Sequence, residues 1–233
     1  MIEIIPAILE QSLPAIEEKL TLLRGLARAV QIDVCDGAFV PQVTWPLADE
    51  EQRTELQRMV SQDEGLPLWE DFDFEFHLMM EEPAALAEEL VAAGASGIIV
   101  HADAPGAHAA LQTLQSFRGG EFPVSIGVAI GCDVAPEALT PFEGLYDVVQ
   151  VMGIVKVGFQ GQDFDTRATA LVAQLRAENP TRTIQVDGGV GLHTARTLRA
   201  AGANRLVVGS GILKSEDPKE AIENLIVAAD NNI

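Results

Sequence analysis

Cysteine is scarce in this chain: Cys35 and Cys132 are the two present in 233 residues, and they have no metal-ligand spacing. They read as two reduced thiols, which fits a cytoplasmic setting rather than a disulfide-stapled secreted one. Basic residues are few as well, 15 Lys and Arg against 35 Asp and Glu, for a formal net charge of −20. That balance argues against nucleic acid and against an anionic membrane as partners. It leaves a small anionic substrate open, because a nest of backbone N–H groups can hold phosphate inside an acidic protein. No apolar run reaches the ~20 residues of a membrane span. The opening Met1-Ile2-Glu3 lacks a basic region followed by an apolar stretch, so no secretory signal is expected. No low-complexity segment or linker breaks the chain, and residues 1–233 are expected to form one domain.

What is present is a repeated alternation. Strands are expected at 4–9, 29–34, 74–79, 97–101, 124–130, 147–152, 183–187 and 205–208. Between them lie helical patterns. Ser12 and Pro14 open one in which Ile16, Leu20 and Leu23 recur at helical spacing. Others are expected at 49–60, after Pro83, and at 106–117, 136–141, 166–178, 192–201 and 218–228. Residues 65–73 read as an acidic connector, and the acidic stretch 63–73 with Trp69 as a solvated loop in preference to an interface. Eight strand–helix units in this length point to an α/β fold, the (β/α)8 barrel, over an open sheet. The segments Ala92-Ala93-Gly94-Ala95 and Ala200-Ala201-Gly202-Ala203 echo each other half a barrel apart, each a helix end with a Gly cap before a strand.

The stretch Gln31-Ile32-Asp33-Val34-Cys35-Asp36-Gly37 carries a polar face inside a strand, with Gln31, Asp33 and Cys35 on it. A carboxylate there is costly to bury unless paired, coordinated or used. In this barrel the reacting groups sit at the C-terminal ends of the strands. Those ends supply Asp33 and Asp36, His77, His101 with Asp103, and Asp187. Asp33 and Asp187, on strands two and seven, face each other across the barrel mouth. Such a pair suits inversion of a carbon centre, one group removing a proton and the other returning it on the far face. Asp33, His77 and Asp187 together also form an N/O set able to hold a divalent metal. Glycines after strands six, seven and eight (Gly158, Gly161, Gly188, Gly189 and Gly209, with Ser210) can present backbone N–H groups to a phosphate. Ser210 to Lys214 could form the short helix of that site. His108 and His193 fall on helices and read as surface residues.

These residues resemble the ribulose-phosphate 3-epimerase family across nearly the whole chain. The matches are Pro6-Ala7-Ile8-Leu9, Gln31 to Pro41, His77-Leu78-Met79, His101-Ala102, Val151-Met152, Gly158-Phe159-Gln160-Gly161-Gln162, Val186-Asp187-Gly188-Gly189-Val190 and Gly209-Ser210, in family order. The resemblance implies a TIM barrel of the ribulose-phosphate-binding type, a phosphorylated-sugar substrate and membership of the pentose phosphate pathway. It implies Asp33 and Asp187 as the proton-transferring pair and a divalent ion (Zn, Fe, Mn, Co or Mg). Substrate contacts would come from His77, Met79, Met152, Phe159 and Gln160 besides the glycines and Ser210. Family members are often dimers or larger, so a homo-oligomer is implied too.

The departures cluster at the metal. Gln31 stands where the family has its first His ligand, Ala7 where it has a substrate-contacting Ser, and Cys35 where a Met lines the site. An amide oxygen at Gln31 can ligate but is neutral and weaker than imidazole. The loop at 153–157 lacks the family's Asn-Pro. Three readings stay open: interconversion of D-ribulose 5-phosphate and D-xylulose 5-phosphate, another phosphosugar reaction such as a hexulose-phosphate epimerase or lyase, and a non-catalytic phosphosugar binder.

Overall fold

In the computed structural model, which describes residues 2–119, 122–159 and 161–230, eight parallel strands close into a barrel in sequence order. The strands are β1 (Glu3–Ile8), β2 (Ala29–Cys35), β3 (Asp73–Met79), β4 (Gly97–His101), β5 (Ser125–Gly131), β6 (Val148–Met152), β7 (Thr183–Asp187) and β8 (Arg205–Val208). The outer helices are α1 (Leu13–Leu23), α2 (Glu50–Val60), α3 (Ala84–Ala92), α4 (Ala107–Leu114), α5 (Arg167–Glu178), α6 (Leu192–Ala201), α7 (Ser210–Leu213) and α8 (Pro218–Asp230). The alternation expected from sequence is therefore the fold observed.

The helices form where one face is apolar. In α1 the residues Ile16, Leu20 and Leu23 are buried against the barrel while Glu17 and Glu18 face water. Fully burying one such side chain stabilises by roughly 1.5–3 kcal/mol. Asp49 caps α2 by accepting from the Gln52 backbone N–H. Ser12 occupies the corresponding position of α1 without a side-chain cap bond. The α-helix expected at 136–141 is instead a 3-10 helix, Pro136–Phe142, because Pro141 removes a donor inside it. The helix expected to reach Phe117 ends at Leu114, and Gln115–Phe117 tightens into 3-10 geometry. At the end of α6, Gly202 adopts φ 115° as the left-handed cap anticipated there.

Two layers of packing result. Residues pointing outward from the strands, such as Ile32, Val34, Phe76, Leu78 and Val186, join the main core under the helices. The inward residues are unusual for this architecture, whose barrel interiors are mostly branched and apolar. Gln31, Glu75, His77, Gln150 and Gln185 all lie buried inside. Parallel register brings them together: Gln31 sits beside Glu75, Asp33 beside His77, Gln150 beside Gln185, and Gln185 beside Arg205. Gly127 makes room in the same interior, since a Cβ there would meet Ile99 at 2.8 Å.

Candidate active site

Side chains two residues apart on a strand share a face, so each inward polar residue has a height within the barrel. Asp33 on β2, His77 on β3 and Asp187 on β7 occupy the upper level. His77 Nδ1 lies 3.1 Å from Asp33 Oδ1 and 3.4 Å from Asp187 Oδ2. Beneath them, Gln31 Nε2 donates to Asp33 Oδ1 at 3.1 Å and to Asp187 Oδ2 at 3.4 Å. The two carboxylates expected on opposite sides of the mouth thus converge on one centre. His77 Nε2 contacts His101 Nε2 at 2.8 Å, and His101 in turn faces Asp103 at 3.6 Å. His101 with Asp103 is a strand-end pair lying behind the centre. Asp36 plays a different part, since its carboxylate accepts from the backbone of Ala38, Phe39 and Glu81 and so fastens the loops after β2 and β3.

Burial governs the electrostatics. Desolvation raises both Asp33 and Asp187 to about 7, with the Gln31 hydrogen bond pulling each partly back and the neighbouring Asp33 charge adding to the rise at Asp187. Desolvation likewise lowers His77, and lowers His101 to about 4, so both imidazoles are neutral at pH 7. Burial pushes the Cys35 thiol up to about 12, which leaves it unreactive.

Above this centre opens a cleft of about 200 Å³. Asp33, Asp187, Met79 and Met152 form its floor, and Gly188, Gly189, Gly209 and Ser210 one wall. Gly158, Phe159, Gly161 and Gln162 from the β6–α5 loop contribute the other. Among the described residues no Lys or Arg lines it. An anion there would rely on backbone N–H groups and on the start of the short α7. The paired glycines also have a packing duty. Gly189 has φ 66°, and a Cβ on it would meet Phe164 Cα at 2.6 Å. Gly189→Ala should therefore destabilise the chain by about 1–3 kcal/mol and displace the β6–α5 loop. Thermal denaturation and titration with inorganic phosphate would both register it; an unchanged melt would contradict the packing argument.

A sequence model of the ribulose-phosphate 3 epimerase family matches residues 3–213. The chain belongs to the ribulose-phosphate 3-epimerase family. Its likeness to the ribulose-phosphate 3-epimerase of Bacillus subtilis is 31% identity over 233 residues, 97% of this chain and 98% of that one. For the Schizosaccharomyces pombe enzyme it is 31% over 197 residues, 84% and 79% of the two chains. Among solved structures, a ligand-bound crystal structure of KGPDC from Streptococcus mutans superposes with a TM-score of 0.70 at 12% identity, covering 98% of this chain and 97% of that one. The 3-hexulose-6-phosphate synthase of Salmonella typhimurium gives 0.63 at 16%, covering 98% of each. At those identities the likeness is one of fold. Family membership places the chain among the sugar-phosphate epimerases, a class of isomerases.

Against the family pattern, most expected site residues meet at the cleft. Gln160 lies outside the described residues. His77 does not line the cleft; it sits fully buried beneath it, which suits an ion or a carboxylate as its partner more than a sugar. Ala7 lines the cleft, Cys35 packs with Val40 and Met79, and His108 and His193 are exposed as expected. Asp33, His77 and Asp187 can each bring one ligand atom within 4.8 Å of the others, an N/O donor set that fits a divalent ion. Gln31, expected as a fourth ligand, turns its amide nitrogen and not its oxygen toward those carboxylates. Gln150 and Gln185 were not anticipated at the site. Their signal was a single polar residue interrupting an otherwise apolar strand on the inward parity, as in Val149-Gln150-Val151 and Ile184-Gln185-Val186. Among the described residues no helix is long and apolar enough to cross a membrane.

Proposed function

We propose that the chain interconverts D-ribulose 5-phosphate and D-xylulose 5-phosphate, with Asp33 and Asp187 as the proton-transferring pair. The observation that carries this reading is their convergence on one cleft floor. Burial raises both carboxyls above the usual carboxylate range in the metal-free chain, which favours taking up a proton, and a bound cation would act in the opposite sense. One carboxylate removes the proton from the carbon beside the carbonyl. The other delivers a proton to the opposite face of the resulting planar ene-diolate. Met79 and Met152 line the floor beside the two carboxylates with side chains that neither give nor take a proton. The glycine wall with Ser210 holds the phosphate by backbone N–H groups and fixes the sugar's distance from the floor.

Asp33, His77 and Asp187 would hold a divalent ion (Zn, Fe, Mn, Co or Mg). Such an ion supplies polarisation of the substrate carbonyl and spreads the negative charge that builds there. The neutral state of His77 suits that duty, since a protonated imidazole has no lone pair to give. We place the whole activity in one barrel domain acting in the cytoplasm, with a homo-oligomer compatible with the family.

Turnover of D-ribulose 5-phosphate by chelated protein, and again with each ion restored, tests the proposal. Metal-restored formation of D-xylulose 5-phosphate is expected. Folded protein that binds the sugar phosphate yet neither epimerises it nor exchanges its α-proton into deuterated water would overturn the reading in favour of a phosphosugar binder. Turnover of a hexulose phosphate alone would instead change the substrate.

A further inference from the structure

We infer that a part-buried ion pair at the N-terminal end of the barrel, Glu75 with Arg205, dictates through Gln185 that Gln31 serves the two aspartates as a hydrogen-bond donor and not as a metal ligand. The inference rests on the two-aspartate reading above and concerns the residue that departs most from the family pattern.

The direction of each amide follows from the bottom upward. Arg205 Nη1 lies 2.8 Å from Glu75 Oε2, while its Nε also reaches Glu3 at 3.1 Å. A carboxylate engaged with a guanidinium offers only acceptors. Gln185 must therefore turn its nitrogen toward Glu75, and Nε2 donates to Glu75 Oε1 at 2.6 Å. The same nitrogen faces Gln150 Oε1 at 2.7 Å and Gln31 Oε1 at 3.1 Å. Both upper amides thus spend their oxygens downward. Their nitrogens are left facing the site: Gln31 Nε2 toward Asp33 and Asp187, and Gln150 Nε2 toward Asp187 Oδ2 at 3.3 Å.

Reversing Gln31 alone would set its oxygen against two carboxylates and its N–H groups against those of Gln185. Reversing Gln185 would set its oxygen against Glu75. The structure shows what the observed choice costs, since Gln185 Oε1 is buried without a hydrogen-bond partner. An amide gives up an acceptor bond in order to keep its nitrogen on the ionic pair, so the charge decides the orientation. The result is an amide layer with one polarity, N–H groups up. Gln31 occupies carboxylate lone pairs that a cation would otherwise use, and the metal-holding set is reduced to Asp33, His77 and Asp187.

The test uses Mn²⁺, followed by its EPR signal, on the full chain and on variants checked for native circular dichroism. Gln31→Ala should leave Mn²⁺ affinity unchanged or tighter, because a competing donor is removed. A weakening of about tenfold or more, the scale on which shell residues act on metal affinity, would make Gln31 a ligand and overturn the inference. Glu75→Gln releases the layer from its fixed direction, with Glu3 still pairing Arg205. Gln31 can then turn its oxygen upward, and Mn²⁺ should bind more tightly, a gain that disappears in Glu75→Gln/Gln31→Ala. No gain in a folded Glu75→Gln protein would count against the inference.

A second arm needs no metal. In chelated, glutamine-labelled protein, the side-chain amide protons of Gln31, assigned by their loss in Gln31→Ala, should move upfield in Asp33→Asn. Resonances indifferent to Asp33 would refute the donor role. This arm stands whether or not turnover is found, so a failure here is distinct from a failure of the epimerase reading.

Discussion

An Asp187→Asn chain is expected to lose epimerisation by about a thousandfold, within the range of 10²–10⁴ that a positioned acid or base contributes, while still exchanging the α-proton of one epimer with deuterated water. The reason is geometric. Asp33 and Asp187 reach the cleft floor from β2 and β7, and in the proposed mechanism each serves one face of the substrate carbon. With Asp187 neutralised, Asp33 can still remove the proton that points toward it. It can return a deuteron only to the same face, so that epimer exchanges without inverting. The other epimer presents its proton to the amide and is silent. Asp33→Asn should give the mirror-image result, with exchange retained in the opposite epimer. The amide is nearly isosteric with the carboxylate, and the contacts to Gln31 and His77 allow it to be held in place. Proton NMR of D-ribulose 5-phosphate and D-xylulose 5-phosphate in deuterated buffer, run beside Mn²⁺ binding on the same variants, measures both. Loss of exchange in both epimers with metal binding intact would mean that the aspartates are not separate bases for two faces.

Much of the scaffold behind that expectation was legible in the chain itself. Strand–helix alternation fixes handed, parallel crossovers, and Asp33, His77 and Asp187 stood at strand ends where this barrel gathers its reactive groups. What could not be read was height inside the barrel. Gln150 and Gln185 look alike as lone polar residues in apolar strands. The register of eight strands, which no local pattern encodes, decides that Gln185 meets Glu75 while Gln150 reaches Asp187. Gln31 illustrates the same limit. Its position invited a ligand role, yet the direction of its amide depends on Arg205, far along the chain and linked to it in space through Gln185 and Glu75. The segment after Pro136 is a local failure of another kind. Its length and composition allow a helical turn, and the missing N–H of Pro141 steers it to 3-10 geometry.

The buried carboxylates also make a large claim on stability. Asp33 and Asp187 are held at about 7 in the folded metal-free chain against an ordinary 3.8, with desolvation the main cause. The folded state therefore binds protons that the unfolded state has already released. Between about pH 4 and 7 stability must fall as pH rises, and above 7 the penalty is complete. At 1.4 kcal/mol per pH unit each carboxylate costs about 4 kcal/mol at pH 8, and the pair up to about twice that. His77 and His101 act in the opposite sense. Their lowered pKa values make the folded state lose stability as pH falls below the ordinary imidazole range. The carboxylate contribution is isolated by comparing the parent with Asp33→Asn/Asp187→Asn, in which both histidines remain. The double variant should melt about 10 °C or more above the chelated parent at pH 8, and the gap should close as pH falls toward 4. Adding Mn²⁺ at pH 8 should raise the parent's melting temperature and leave the double variant's unchanged, because binding to the folded state alone stabilises it by mass action. Parallel melting curves across the whole range would mean that water or a rearranged loop solvates the pair, and that the carboxylates reach the substrate fully ionised. The expected divergence would instead show a site that is destabilising when empty of cation at physiological pH, with the fold tolerating two buried acids because their use requires them there.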